Sequence, residues 1–307
     1  MERSAGLFEL AARCALCPRR CGVNRLSGEK GFCQAGGTPR VAYCGLHHGE
    51  EPPISGARGS GTLFFGHCTM ACVFCQNWQI SHPDTSAPLE DISIEKLAAV
   101  MLGLQRSGAH NINLVSPTQH APWLYQAWLT AKAQGLVLPV VYNTNGYERI
   151  EILEPLDEMI DIYLPDLKYA GNISAGKYSH TPDYAGTALA AVQFMLKQKG
   201  RLKLQNGLAA RGVLVRHLVL PGLARESRKI LDELYALDPE IHLSLMSQYA
   251  PQHEAKNIPE LNRRLSAEEY NEIVEYAAGL GLANVWIQET ASQEILVPDF
   301  CASRPFQ

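Results

Sequence analysis

The chain has 307 residues, 46% of them hydrophobic and 19% charged, which suits a globular protein with one large core and an appendage. A formal charge of -4 offers no basic field for nucleic acid. No cationic, then apolar, leader opens the chain, and no run of about 18 apolar residues suits a membrane span. The expectation is a cytoplasmic protein whose partners are neither nucleic acid nor membrane. Eight of the nine cysteines fall between Cys14 and Cys75. Without an export signal, such clustering favours metal ligation over disulfides, because cytosolic thiols are kept reduced.

Taken in chain order, residues 1–60 are rich in Cys, Gly, Pro and Arg and show little sustained periodicity. They should fold around turns and metal ligands rather than on an apolar face. Cys14, Cys17, Cys21 and Cys33 form C-x-x-C-x-x-x-C-x11-C in a stretch too poor in apolar residues to build its own core. A metal-stabilised knuckle follows, with zinc as first choice and an auxiliary iron–sulfur cluster as the rival, since an all-sulfur ligand set suits both. The Gly/Pro-rich stretch from His47 to Gly56 reads as a rigid linker or a cover over the mouth of a site. Cys44 and Cys301 stand alone and read as buried thiols.

From residue 61 to 307 the pattern changes to alternating strands and helices. Short apolar or β-branched runs at Gly61–Gly66, Ile112–Ser116, Leu138–Asn143, Asp161–Pro165, Gly212–Leu218, His242–Met246 and Val285–Gln288 each read as a buried strand. Helical spacing covers Ile94–Gln105, Ala121–Gln134, Asp183–Gln198, Arg225–Leu234 and Ala267–Leu280. Ser93 and Ser266 are N-cap candidates, the latter in a capping box with Glu269, and Gly279 and Gly281 mark the last helix's end. The predicted fold is therefore α/β, a full or partial (β/α)6-type barrel with a Cys-rich N-terminal module, its chemistry at the C-terminal ends of the strands. No Gly-x-Gly-x-x-Gly turn follows the first barrel strand to favour a dinucleotide-binding sheet.

That first strand runs into His67-Cys68-Thr69-Met70-Ala71-Cys72-Val73-Phe74-Cys75-Gln76-Asn77. Three thiolates in one tight loop can hold three corners of an iron–sulfur cube and leave one iron open for a substrate or cofactor. A zinc loop is the plain alternative. The C-x-x-x-C-x-x-C triplet, with aromatic Phe74 before the third cysteine, resembles the signature of the radical S-adenosylmethionine (SAM) superfamily. By that resemblance Cys68, Cys72 and Cys75 hold a four-iron four-sulfur cluster, which reductively cleaves SAM to a 5'-deoxyadenosyl radical that takes hydrogen from substrate.

Over nearly its whole length the chain also resembles the activating enzymes of glycyl radical enzymes, in particular relatives of pyruvate formate-lyase activase. Asn143-Thr144-Asn145-Gly146 stands where those enzymes carry Asp-Thr-Asn-Gly, and Asp166-Leu167-Lys168 matches their Asp-Leu-Lys. The resemblance implies SAM contacts from Asn77, from Asn143, Thr144 and Asn145, and from Asp166 and Lys168. Lys168 would pair with the SAM carboxylate, and Asp166 with ribose hydroxyls or a cation. Ser116-Pro117-Thr118 replaces the usual Gly-Gly-Glu, with Ser116, Thr118 and Gln119 as polar stand-ins. On the sixth strand, where activases carry His, Gln248 or Tyr249 would face the cofactor. Arg216 and His217 match an activase segment as well, although single strand residues of these types are commonly structural.

Implied partners are an electron donor such as flavodoxin or ferredoxin and, for an activase, a glycyl radical enzyme whose backbone glycine loses hydrogen. A small molecule or peptide is the second substrate class. A noncatalytic zinc or iron–sulfur scaffold is the competing reading from outside enzymology.

Overall fold

A computed structural model of the chain describes residues 2–84, 86–289 and 297–306. Its strands are β1 (Arg40–His47), β2 (Ser60–Phe65), β3 (Glu90–Asp91), β4 (Ile112–Val115), β5 (Val140–Thr144), β6 (Ile162–Pro165), β7 (Lys203–Gln205), β8 (Leu208–Leu218), β9 (His242–Met246) and β10 (Asn284–Ile287). They lie in the order β10-β9-β8-β6-β5-β4-β2-β1-β3, with β7 paired to the outer part of β8. From β2 through β10 along this order every neighbouring pair is parallel. β1 closes one flank antiparallel to β2, from Val41↔Phe65 to His47↔Ser60. No pairing joins β10 to β3 among the described residues, so the barrel is a partial one.

Each of the six parallel steps needs a crossover, and the sequence supplies long helices for five of them at Ile94–Arg106, Ala121–Ala133, Tyr184–Lys199, Ala224–Leu237 and Ala267–Leu280, the β5–β6 step being made through the single turn Ile150–Leu153. Their ends follow local chemistry. Ser93 accepts from the Lys96 amide, Ser266 and Glu269 form the reciprocal capping box, and Gly281 ends the last helix with φ +85°. Gly279 lies inside that helix. Among the described residues no helix is long and apolar enough to cross a membrane.

Strand side chains divide between two faces. Leu63, Leu114, Tyr142, Tyr163, Val215 and Leu243 face the helices and belong to the large core. Val141, Ile162, Leu164 and Leu214 belong to a second, inner cluster.

Three expectations for the first 60 residues are corrected. Arg40–His47 is a regular strand, β1, held by its pairing with β2 rather than by metal ligands or turns. Glu2–Ala12 is a helix that buries Leu7 and Ala11 in the main core, with the Phe8 ring edge-on to Trp123 at 5.5 Å. The i, i+4 pair Leu7/Ala11 was its only periodic mark, too short to detect. The His47–Gly56 stretch is more than a linker or a cover, since His47, Gly49, Glu50 and Glu51 line the cavity that holds the loop cysteines. Its one-turn helix Pro52–Ser55 plugs the opposite end of the barrel, where Ile54 is fully buried in the inner cluster and Asn111, just before β4, donates to the Ile54 carbonyl.

Ile54→Ala should therefore lower the unfolding free energy by about 2–5 kcal/mol, the usual cost of truncating a buried Ile. Ile173→Ala, at a side chain 88% exposed, should change it by less than about 0.5 kcal/mol. Urea denaturation of the two variants checks both.

Candidate functional site

The β2 strand ends at Phe65, and the chain turns through His67 and Ala71, both at positive φ, to bring Cys68, Cys72 and Cys75 over the barrel. Ser116, at the end of β4, also takes a left-handed conformation. Non-glycine residues held there are strained, and they cluster here at strand ends where a site would lie.

The three cysteines line one cavity with Asn77, Ser116, Asn143, Thr144, Asn145, Asp166, Lys168 and Gln248. It encloses about 1220 Å³ of non-atom space, the open solvent at its mouth included. Its chemistry begins at the sulfurs. The Met70 amide points at Cys68 Sγ (3.5 Å), Asn145 Nδ2 donates to the same sulfur (3.3 Å), and Ser81 Oγ donates to Cys75 Sγ (3.3 Å). Donors of this kind favour the thiolate, the form that ligates iron.

Burial pushes the Cys72 thiol up to about 12 and the Cys75 thiol up to about 11, so a bound metal's charge would be what deprotonates them. Among the described residues no three His, Cys, Asp or Glu side chains are already drawn together to hold an ion.

Below the sulfurs lies a buried charge network. Arg216 donates through Nε to Asp166 Oδ1 (2.9 Å), through Nη2 to Asn143 Oδ1 (2.6 Å) and through Nη1 to Glu50 Oε2 (3.3 Å). Lys168 Nζ takes the other Asp166 oxygen at 2.6 Å. Burial raises the Asp166 carboxyl, but the charges of Arg216 and Lys168 outweigh it and hold the group below its ordinary value. Burial likewise works against the Lys168 ammonium, and Asp166 reverses the effect. Glu50 Oε1 accepts from Asn113 Nδ2 (2.8 Å) and Asn143 Nδ2 (3.2 Å), yet burial still leaves its carboxyl raised.

These bonds fix the Asn143 amide, whose oxygen accepts from Arg216 while its nitrogen donates to Glu50. A second carboxylate there would face Glu50 across the same amide hydrogens. Glu50 supplies the carboxylate beside Asn143 and Arg216.

The turn after β5 is shaped by Gly146, at φ +80°, where any Cβ would stand 2.2 Å from the Asp166 carbonyl oxygen. Glu148 closes that turn from beneath. It is fully buried, accepts from the hydroxyls of Thr118 and Thr144, and is raised by burial to about 7, the two threonines holding it from rising further.

Thr118 is thus placed away from the cavity, its hydroxyl committed to Glu148, and is corrected as a cofactor contact. Gln119 is corrected too, because its amide donates to the Gly66, His67 and Ser116 carbonyls and so fastens the ends of β2 and β4. Tyr249 is buried with its hydroxyl on the Leu261 carbonyl, leaving Gln248 to face the cavity. His217 is satisfied by the Leu167 carbonyl and Ser227. Cys301 is exposed rather than buried, and Cys44 is half-buried.

Sequence reasoning missed Glu50 and Glu51. Two acids after a His-His-Gly turn gave no periodic signal, and only the Pro-Pro that follows hinted at a forced change of direction. Both carboxylates line the cavity.

No protein-family model matches the chain. It is 32% identical over 273 residues to an uncharacterized protein of Methanocaldococcus jannaschii, covering 86% of this chain and 74% of that protein. It is 29% identical over 167 residues to a second uncharacterized protein of that organism, covering 49% of each. Among solved structures, the FeFe-hydrogenase maturase HydG aligns at TM-score 0.50 and 13% identity, over 75% of this chain and 52% of that one. A domain of pyruvate-formate lyase-activating enzyme from Bacteroides vulgatus aligns at TM-score 0.44 and 14% identity, over 59% of this chain and 100% of that one. The fold, a partial β/α barrel, is shared with that maturase.

Glu148 makes a pH dependence testable. Its folded value near 7 lies above the ordinary 4.5, so between these values the folded state holds a proton that the unfolded chain has released. Stability from this group is full below about 4.5 and is lost as pH rises through about 7, by up to ~3 kcal/mol. Glu148→Gln should remove that slope, and the difference between the unfolding free energies of wild type and variant, followed from pH 5 to pH 8, reads it directly.

Proposed function

The chain belongs to the same family as the first of those archaeal proteins, and we propose that it is a radical SAM enzyme. The observation that carries this reading is the meeting, in one cavity, of the three loop cysteines with Asn145, Asp166 and Lys168 at the C-terminal ends of β2, β5 and β6. Three thiolates with sulfur-directed donors fit a four-iron four-sulfur cluster that keeps one iron open. Such a cluster, with SAM bound, supplies the electron that reductively cleaves the cofactor's carbon–sulfur bond to a 5'-deoxyadenosyl radical.

The chain's own residues would do the holding. Cys68, Cys72 and Cys75 anchor the cluster, and Asn145 fixes Cys68. Lys168 offers an ammonium to the SAM carboxylate from a position already oriented by Asp166. Ser116, Asn77, Thr144 and Gln248 supply polar atoms around the same space. A flavodoxin or ferredoxin would deliver the electron.

For the substrate we propose hydrogen abstraction as in the glycyl radical enzyme activases, from a backbone glycine of a partner enzyme. A small molecule or peptide is favoured by a different feature. Phe306 lines the cavity and lies 4.3 Å from the His47 ring and 5.0 Å from Phe64, so the C-terminal residues narrow the mouth with aromatic surface.

The test is anaerobic reconstitution with iron and sulfide, reduction, and measurement of 5'-deoxyadenosine formed from SAM. The protein should produce it, and Ala at any one of Cys68, Cys72 or Cys75 should abolish it, since two thiolates cannot hold the cube with an open corner. A reconstituted cluster that never cleaves SAM would leave only the scaffold reading. Incubation with candidate glycyl radical enzymes separates the substrates: a glycyl electron-spin signal supports the activase, and its absence with all of them supports the small molecule or peptide.

A further inference from the structure

We infer that Cys14, Cys17, Cys21 and Cys33 form a second metal centre, a tetrathiolate site for zinc or an iron–sulfur cluster, whose role is to brace the loop carrying Cys68, Cys72 and Cys75. This goes beyond the SAM reading and stands on separate residues. All four are free thiols, Cys14 and Cys17 buried, Cys33 half-buried and Cys21 exposed, and they line one small cavity together with Thr69 of the Cys68 loop.

The segment 13–39 that carries them has no regular structure beyond a single turn at Arg25–Ser27. Ordering such a stretch costs about 1–2 kcal/mol per residue in backbone entropy, and its few apolar side chains cannot offset that. Metal ligation can.

Backbone amides point at three of the sulfurs. The Phe32 amide donates to Cys21 Sγ at 3.5 Å, and the Arg19 and Ala35 amides act on Cys17 and Cys33 in the direction that favours the thiolate, against the larger effect of burial. Amide donors compensate negative charge gathered on sulfur, which is what four thiolates around a metal accumulate. Gly31 admits the chain past this group, because a Cβ there would stand 2.8 Å from Cys21 Sγ.

Two arginines connect this group to the barrel. Arg19 lies over the Phe32 ring at 3.3 Å and donates to the Thr69 carbonyl (2.5 Å), the Met70 carbonyl (3.4 Å) and the His180 carbonyl (2.9 Å). Arg25, fully buried, donates to the Gly36 carbonyl and to the Gln119 carbonyl at 2.6 Å. Gln119 is the residue that ties the β2 and β4 ends together. A charged donor braces a carbonyl only when its own backbone is fixed, and the four sulfurs closed on a metal provide that fixed point. Arg19 is thereby a positioning residue for the Cys68 loop.

The test uses the full chain. The Cys68→Ala/Cys72→Ala/Cys75→Ala triple variant, purified without oxygen and analysed for zinc, then for iron and sulfide after reconstitution, should retain about one zinc or about four irons per chain. Which of the two is found identifies the centre, and neither would overturn it. In metal-loaded wild type, iodoacetamide should modify exposed Cys21 about tenfold or more slowly than exposed Cys301 until a chelator is added. Equal rates before chelation would overturn the site independently of any variant's folding.

For the brace, Arg19→Ala should keep the metal yet speed amide hydrogen exchange across residues 67–76, and Arg19→Lys should restore part of the protection. Exchange unchanged in Arg19→Ala would sink the brace. Failure of the wild type to cleave SAM bears on the radical SAM reading and leaves the metal count of the four cysteines standing.

Discussion

Arg216 is the interaction on which the interior depends. A guanidinium removed from water is costly unless every direction of its fork meets an acceptor, and here the acceptors come from β5, from the end of β6 and from the segment before β2. One buried cation thus fixes the relative positions of chain segments more than 160 residues apart. The same network orients Lys168 and the Asn143 amide, so the polar face presented to the cavity follows from the pairing rules for one charge.

The plug at Pro52–Ser55 belongs to this logic. A partial barrel leaves its inner strand faces exposed at the end opposite the cysteine loop, and Ile54 fills that space with apolar contact. Because the helix is one turn long, the residues just before it rise into the barrel. Glu50 arrives beside Arg216 as a consequence of how the bottom is closed.

At the other end, the cysteine loop is held by donors from several directions. Asn145 reaches it from the turn after β5, Arg19 from the N-terminal knuckle, and Gln119 secures the strand end from which it departs. His67, Ala71 and Ser116 pay for the tight path with left-handed backbone, which persists where surrounding bonds over-determine it.

Much of this was legible from the residues in order. Every parallel strand and every crossover helix longer than two turns, apart from Asn172–Ser179, was marked by its own hydrophobic period, whereas the N-terminal helix Glu2–Ala12 and the antiparallel β1 (Arg40–His47) were not; Ser93 and Ser266 announced helix starts through local capping chemistry. The cysteine triplet stood out as a candidate ligand set because its spacing is short enough to act within one loop, and its three residues do line one cavity. What the chain order could not show was assembled from far-apart residues: the descent of Glu50 and Glu51 into the barrel, the diversion of Thr118 to Glu148, and the reach of Arg19 to Thr69. Local propensity and spacing act over a few residues and can be read one segment at a time. Which buried charge meets which partner is decided only when the closed core forces distant segments to share a space without water.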